Sequence, residues 1–157
     1  MKTKHIVLSG LGVFVLWIFF WPSEKDHLNA QMAELCKKDG GVKVYETVKL
    51  PAEMFDDLGN LKAGVNVRKG EQYVTQFAGA YELVTVPRMV LKDGDPLKGE
   101  GRLARHHSKL ERISDGRLLA EVVNYYRSGG DRWFAGMPSS STCRLNADFL
   151  HQVFKKK

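Results

Sequence analysis

Residues 6–21 read IVLSGLGVFVLWIFFW, an uncharged run that water tolerates poorly and that sets the terms on which the rest of the chain can fold. A helix through it is roughly 24 Å long, a little short of the ~30 Å hydrocarbon core, so its length alone fits either a short anchor or the apolar part of a signal peptide. Cleavage needs small side chains one and three residues before the cut. A cut after Ser23 would present Trp21 and one after Ala30 would present Leu28, and neither fits. Trp17, Phe19, Phe20 and Trp21 at the exit resemble an interfacial aromatic belt. The expectation is an uncleaved membrane anchor over residues 1–22 and one domain over residues 23–157. Lys2 and Lys4 before the run favour the N-terminus inside and the domain outside. The expected localisation is therefore the bacterial inner membrane, single-pass, with the C-terminal domain in the periplasm.

The two cysteines, Cys36 and Cys143, both fall outside that run. In an oxidising compartment they are expected to pair; in a cytosolic domain they would be buried thiols acting as small hydrophobes. There is no CxxC, which removes thioredoxin-like chemistry and zinc ribbons.

The formal charge of +6 would suggest nucleic acid, but Lys2 and Lys4 precede the apolar run and Lys155, Lys156 and Lys157 form the tail, so the body between carries only +1. A nucleic-acid surface needs a clustered basic face, so none is expected as a partner.

Within the domain, residues 23–39 read as an amphipathic helix stopped by Gly40 and Gly41. Residues 42–50 alternate like a strand, except that Glu46 falls on the apolar side. Pro51 opens what reads as a short helix ended by Gly59. Two strand-like runs follow from Gln72, the second carrying Pro87, which argues for an edge or a bulge. Residues 92–105 read as a long exposed loop. SKLERI and RLLAEVVNYY flank Ser114, Asp115 and Gly116 as a hairpin, and residues 146–154 read as a short terminal helix. The expected fold class is α+β: one N-terminal transmembrane helix, then a small domain with an antiparallel β-sheet and flanking helices.

Chemistry is harder to find. His106 and His107 are adjacent and diverge in any regular structure, which makes them poor ligands for one metal; no metal site, cofactor or catalytic set is expected. Ser139, Ser140 and Ser141 follow Pro138 without a GxSxG elbow, and the Gly99, Glu100, Gly101 segment lacks the strand-to-helix setting of a phosphate loop. The stretch from Arg127 to Cys143 stands out, because Arg127, Arg132, Trp133 and Phe134 are the residue types that dominate interface hot spots; they are the candidate partner contact.

The segments CKKDGGVKVYETVKLP (residues 36–51), YYRSGGD (residues 125–131) and residues 138–143 together resemble a set of small membrane-anchored envelope proteins of Gram-negative bacteria. The resemblance implies an envelope setting and makes Cys36 and Cys143 parts of one pattern; it carries no activity. The expected function is a membrane-tethered, non-enzymatic periplasmic binding module, touching the membrane through residues 6–21 and meeting another envelope protein or an anionic envelope surface. The alternatives are a periplasmic hydrolase built on Ser139, Ser140, Ser141, His106 and His107, and a mobile-element protein that modifies the host envelope.

Overall fold

The computed structural model describes residues 22–70, 72–132, 136–143 and 149–157. Helix α1 (Glu24–Lys38) begins where the sequence supplies a cap: the Ser23 hydroxyl accepts from the Asp26 amide, while the Asp26 carboxylate accepts from the Ser23 amide. This reciprocal box satisfies donors that the first turn leaves unpaired. At the other end Gly40 follows so closely that a Cβ there would lie 2.7 Å from the Cys36 carbonyl oxygen, which only glycine avoids.

The strands then follow as β1 (Gly41–Val44), β2 (Val48–Leu50), β3 (Val65–Lys69), β4 (Gln72–Phe77), β5 (Tyr81–Lys92), β6 (Arg102–Arg112), β7 (Leu118–Ser128) and β8 (Ser140–Thr142). A short helix α2 (Phe149–Val153) runs directly into β9 (Phe154–Lys156). The main sheet is antiparallel in the order β1-β7-β6-β5-β4-β3, with β8 on β7 beyond the end of β1; β2 and β9 form a separate parallel pair.

Because side chains alternate across a strand, the register sorts the core onto two faces. Leu83, Leu110 and Ala120 are neighbours across β5, β6 and β7 and point one way. Against them pack Leu50, Phe55, Phe77, Val153 and Phe154. Leu103, Val123 and Tyr125 point the other way and are covered by Leu28 and Met32 of α1 and by Cys143. Each large apolar side chain removed from water contributes about 1.5–3 kcal/mol. The two clusters thus hold opposite faces at opposite ends of the sheet, leaving part of each face to be filled by something else.

Two expectations are corrected. The domain is not α+β with an antiparallel sheet and flanking helices: among the described residues it is a mostly antiparallel β structure with one α-helix of 15 residues and one of 5. The short helix read after Pro51 is a single 3-10 turn (Ala52–Met54), and Phe154, read as the end of the terminal helix, opens strand β9. The single-pass inner-membrane localisation is corrected too, since among the described residues no helix is long and apolar enough to cross a membrane. The longest, α1, buries only Leu28 and Met32 and is charged elsewhere. Residues 6–21, on which that expectation was built, lie outside the described residues.

Candidate functional site

The segment singled out around Arg127 is a packed polar network. Arg127 is the penultimate residue of β7 and is only 2% exposed. Its Nη1 donates to the Gly129 carbonyl at 2.9 Å, the Ser139 carbonyl at 3.0 Å and the Ser139 hydroxyl at 2.8 Å, and its Nε donates to Asn29 Oδ1 at 3.0 Å. The Ser139 hydroxyl in turn donates to Asp131 Oδ1 at 2.7 Å, its amide donates to Oδ2 at 2.9 Å, and Lys25 reaches the same carboxylate at 3.0 Å. Gly129 and Gly130, both at φ 75, make this possible, since a Cβ on Gly129 would lie 2.2 Å from the Glu100 carbonyl oxygen. Gly130 also accepts from the Lys25 amide, which ties the loop to the start of α1.

The Ser139 hydroxyl, the Ser139 amide and Lys25 hold the Asp131 carboxyl down at about 2. A folded-state value below the ordinary 3.8 means the carboxylate stabilises the fold above pH 4, and that contribution is lost as pH falls toward 2. Acid titration monitored by circular dichroism should therefore show a loss of stability between about pH 4 and pH 2 that Asp131→Asn makes smaller. An unchanged acid limb in that variant would remove Asp131 from the account.

Arg127 is thus an internal strut and offers no surface to a partner. Arg132 is exposed and lies near Asp26, while Trp133 and Phe134 lie outside the described residues. Cys36 and Cys143 form a disulfide that staples the last turn of α1 to the residue after β8, with Cα atoms 5.8 Å apart. His106 and His107 point to opposite faces, as adjacent strand residues must: His106 meets the Tyr126 ring edge-on, and His107 Nε2 lies 3.2 Å from Glu121. Burial, with Arg88 nearby, lowers the His106 pKa. Among the described residues no group of acids, histidines and cysteines is placed to hold a metal.

A second polar cluster lies on the α1 face of the sheet, past the end of the helix. Glu121 accepts from the Tyr45 hydroxyl at 2.6 Å and sits 3.3 Å from Lys43, besides its contact with His107. The Tyr45 phenol lowers the Glu121 carboxyl, with His107 and Lys43 adding to the effect, and the same hydrogen bond raises the tyrosine. One turn further along, Asp39 accepts from the Tyr125 hydroxyl and pairs with Arg105.

Beyond these groups the face opens. Register places Val65, Val67, Val74, Val84, Val86 and Met89 side by side across β3, β4 and β5, on the face that α1 covers only at β6 and β7. None of the six belongs to either buried cluster; Val74 is buried at 3% exposure, Val67, Val84 and Val86 are half-buried, and Val65 and Met89 are 67% and 57% exposed. Sequence reasoning missed this surface: the valines are scattered from 65 to 86, and only strand pairing assembles them.

Comparison with known proteins finds no match: no family model, no curated protein and no solved structure corresponds to this chain.

Proposed function

We propose that this chain is a non-enzymatic binding module that works in oxidising surroundings and takes a protein partner on the open valine face. The observation that carries the reading is that face itself, where exposed Val65 and Met89 flank half-buried Val67, Val84 and Val86, because an apolar surface left partly uncovered on a domain commonly serves a partner. The disulfide supports the oxidising setting, since such bonds persist where thiols are not kept reduced. The groups a hydrolase would need are committed elsewhere. The Ser139 hydroxyl is held between Arg127 and Asp131, and His107 is engaged by Glu121 on a different part of the sheet.

A photo-crosslinking residue at position 86, in the full chain in its native cell, should give a discrete protein adduct that Val84→Asp removes. The same residue at position 117, in the β6–β7 turn, should not give it. Identical adducts from both positions, or none from position 86, would sink the reading.

A further inference from the structure

We infer that the other open part of the sheet binds a tetrahedral oxyanion, phosphate or a phosphate monoester, between β5 and β6, with Arg88 as its principal ligand and Thr85, His106 and Ser108 as further donors. The site lies on the opposite face from the valine surface and goes beyond the binding-module reading.

A break in the strand ladder creates it. Val86 pairs with His107 and Met89 with Arg105, so Pro87 and Arg88 together stand opposite His106 alone. Unbroken alternation would put Arg88 on the side of Val86; the extra residue of this β-bulge turns it to the side of His106 instead. The electrostatic effect of Arg88 on the imidazole agrees with that placement. One row along, Thr85 and Ser108 face each other with their hydroxyl oxygens 3.4 Å apart. Two neighbouring strands thus bring a guanidinium, an imidazole and two hydroxyls to adjacent positions, past the end of the cluster around Leu83 and Leu110. Thr85 and Arg88 are exposed, and His106 and Ser108 are half-buried.

The charges on this side select the ligand. From the row of Thr85 and Ser108 onward, away from that cluster, no strand among the described residues turns an Asp or Glu to this side. Three arginines do face it. Arg102 is 3.1 Å from Asp93, and Arg68, at the far edge of the sheet, donates to the Gly70 carbonyl. Arg88 makes neither a hydrogen bond nor an ion pair among the described residues. Burial and Arg88 lower the His106 pKa, so at pH 7 the ring is neutral and donates one N–H. The Thr85–Ser108 contact occupies one hydroxyl proton and leaves the other for a ligand. A planar carboxylate would meet the fork of Arg88 in one plane, whereas donors rising from two strands converge from several directions, which suits a tetrahedral group. A polynucleotide is a poor occupant, because neutralising successive phosphates needs a basic stripe and only one cation here is uncommitted.

The test is equilibrium dialysis of radiolabelled inorganic phosphate against the full chain, at ionic strength fixed with sodium chloride. One phosphate should bind per chain with a Kd of about 1 mM or tighter. Arg88→Gln should weaken binding at least tenfold with an unchanged melting temperature, and Arg88→Lys should recover only part of the loss, since an ammonium lacks the fork. Lys62→Gln removes the same charge from an exposed position elsewhere and should leave binding unchanged. In the parent, phosphate should also raise the pKa of His106 followed by NMR, because a nearby anion favours the imidazolium. Competition by glycerol 3-phosphate at lower concentration than phosphate itself supports a monoester as the source, and the reverse order supports the free ion. Absence of binding, full binding in Arg88→Gln, an equal loss in Lys62→Gln, or acetate competing as well as phosphate would each overturn the inference. Val84→Asp should leave phosphate binding intact, so the fate of this site is read separately from that of the valine face.

Discussion

Replacing Cys36 and Cys143 with alanine should lower the unfolding free energy by about 2–5 kcal/mol, the range seen when a native disulfide is removed from a small domain. The bond closes a loop with a sequence separation of 107, for which the chain-entropy model gives roughly 4.7 kcal/mol, and relief of any native strain makes the net loss smaller. The melting temperature should fall by on the order of 10 °C. What the bond holds in place gives the prediction a second, sharper readout. Helix α1 reaches the sheet through Leu28 and Met32, with Leu35 and Cys36 only partly buried beside them, so little apolar area fastens it. Polar ties at its first turn, from Lys25 to Asp131 and from Glu24 to the Gly101 amide, hold one end, and the disulfide holds the other. In the double variant, hydrogen exchange should therefore rise first in the last turns of α1 and in β8, while the amides of β5, β6 and β7 keep their protection. Uniform loss of protection across the sheet would mean the bond supports the whole fold, and unchanged stability would mean it supports none of it.

How far the fold was legible depends on whether a residue's role is local. Glu46 on the apolar side of residues 42–50 was a local signal, and the chain does break there: β1 stops at Val44, β2 starts at Val48, and Glu46 pairs with Arg112 and Arg117. Pro87 announced a bulge, and the register shifts between Val86 and Met89. Asp115 and Gly116 announced the β6–β7 turn, where Gly116 takes φ 67. Other features have no local signature. The start of β6 was read as loop because residues 92–105 are rich in Gly, Asp and Lys, yet within it Leu103 and Ala104 are fully buried, and Arg102 and Arg105 pair with Asp93 and Asp39. Strand β3 was missed because its pattern is exposed on both sides, and it exists by pairing with β4. The open face depends on register between strands far apart in sequence, which periodicity within any one strand does not encode.

The role of Arg127 was misread for a related reason, and its correction carries the other large prediction: Arg127→Ala should destabilise the domain by about 3–5 kcal/mol, the cost of leaving buried partners of a charged group unpaired and opening a cavity. An arginine in a glycine-rich, aromatic stretch resembles an interface anchor when only composition is considered. In the fold, the Gly129–Gly130 excursion turns the chain back over the guanidinium, and the carbonyls of Gly129 and Ser139 and the side chains of Asn29 and Ser139 surround it. No carboxylate touches it among the hydrogen bonds described; Asp131 acts through the Ser139 hydroxyl, which accepts from Arg127 and donates to Asp131. Two consequences separate this arrangement from a merely buried charge. Arg127→Lys should restore little of the loss, because an ammonium keeps the charge but lacks the planar fork that reaches Asn29 and Ser139 together. Arg127 and Asp131 should also couple in a double-mutant cycle by at least ~0.5 kcal/mol, although they share no direct contact, and Ser139→Ala should erase that coupling. If Arg127→Lys matches the parent in chemical denaturation, or if the coupling survives without the Ser139 hydroxyl, the relay from Arg127 through Ser139 to Asp131 does not hold the corner where α1, β7 and β8 meet.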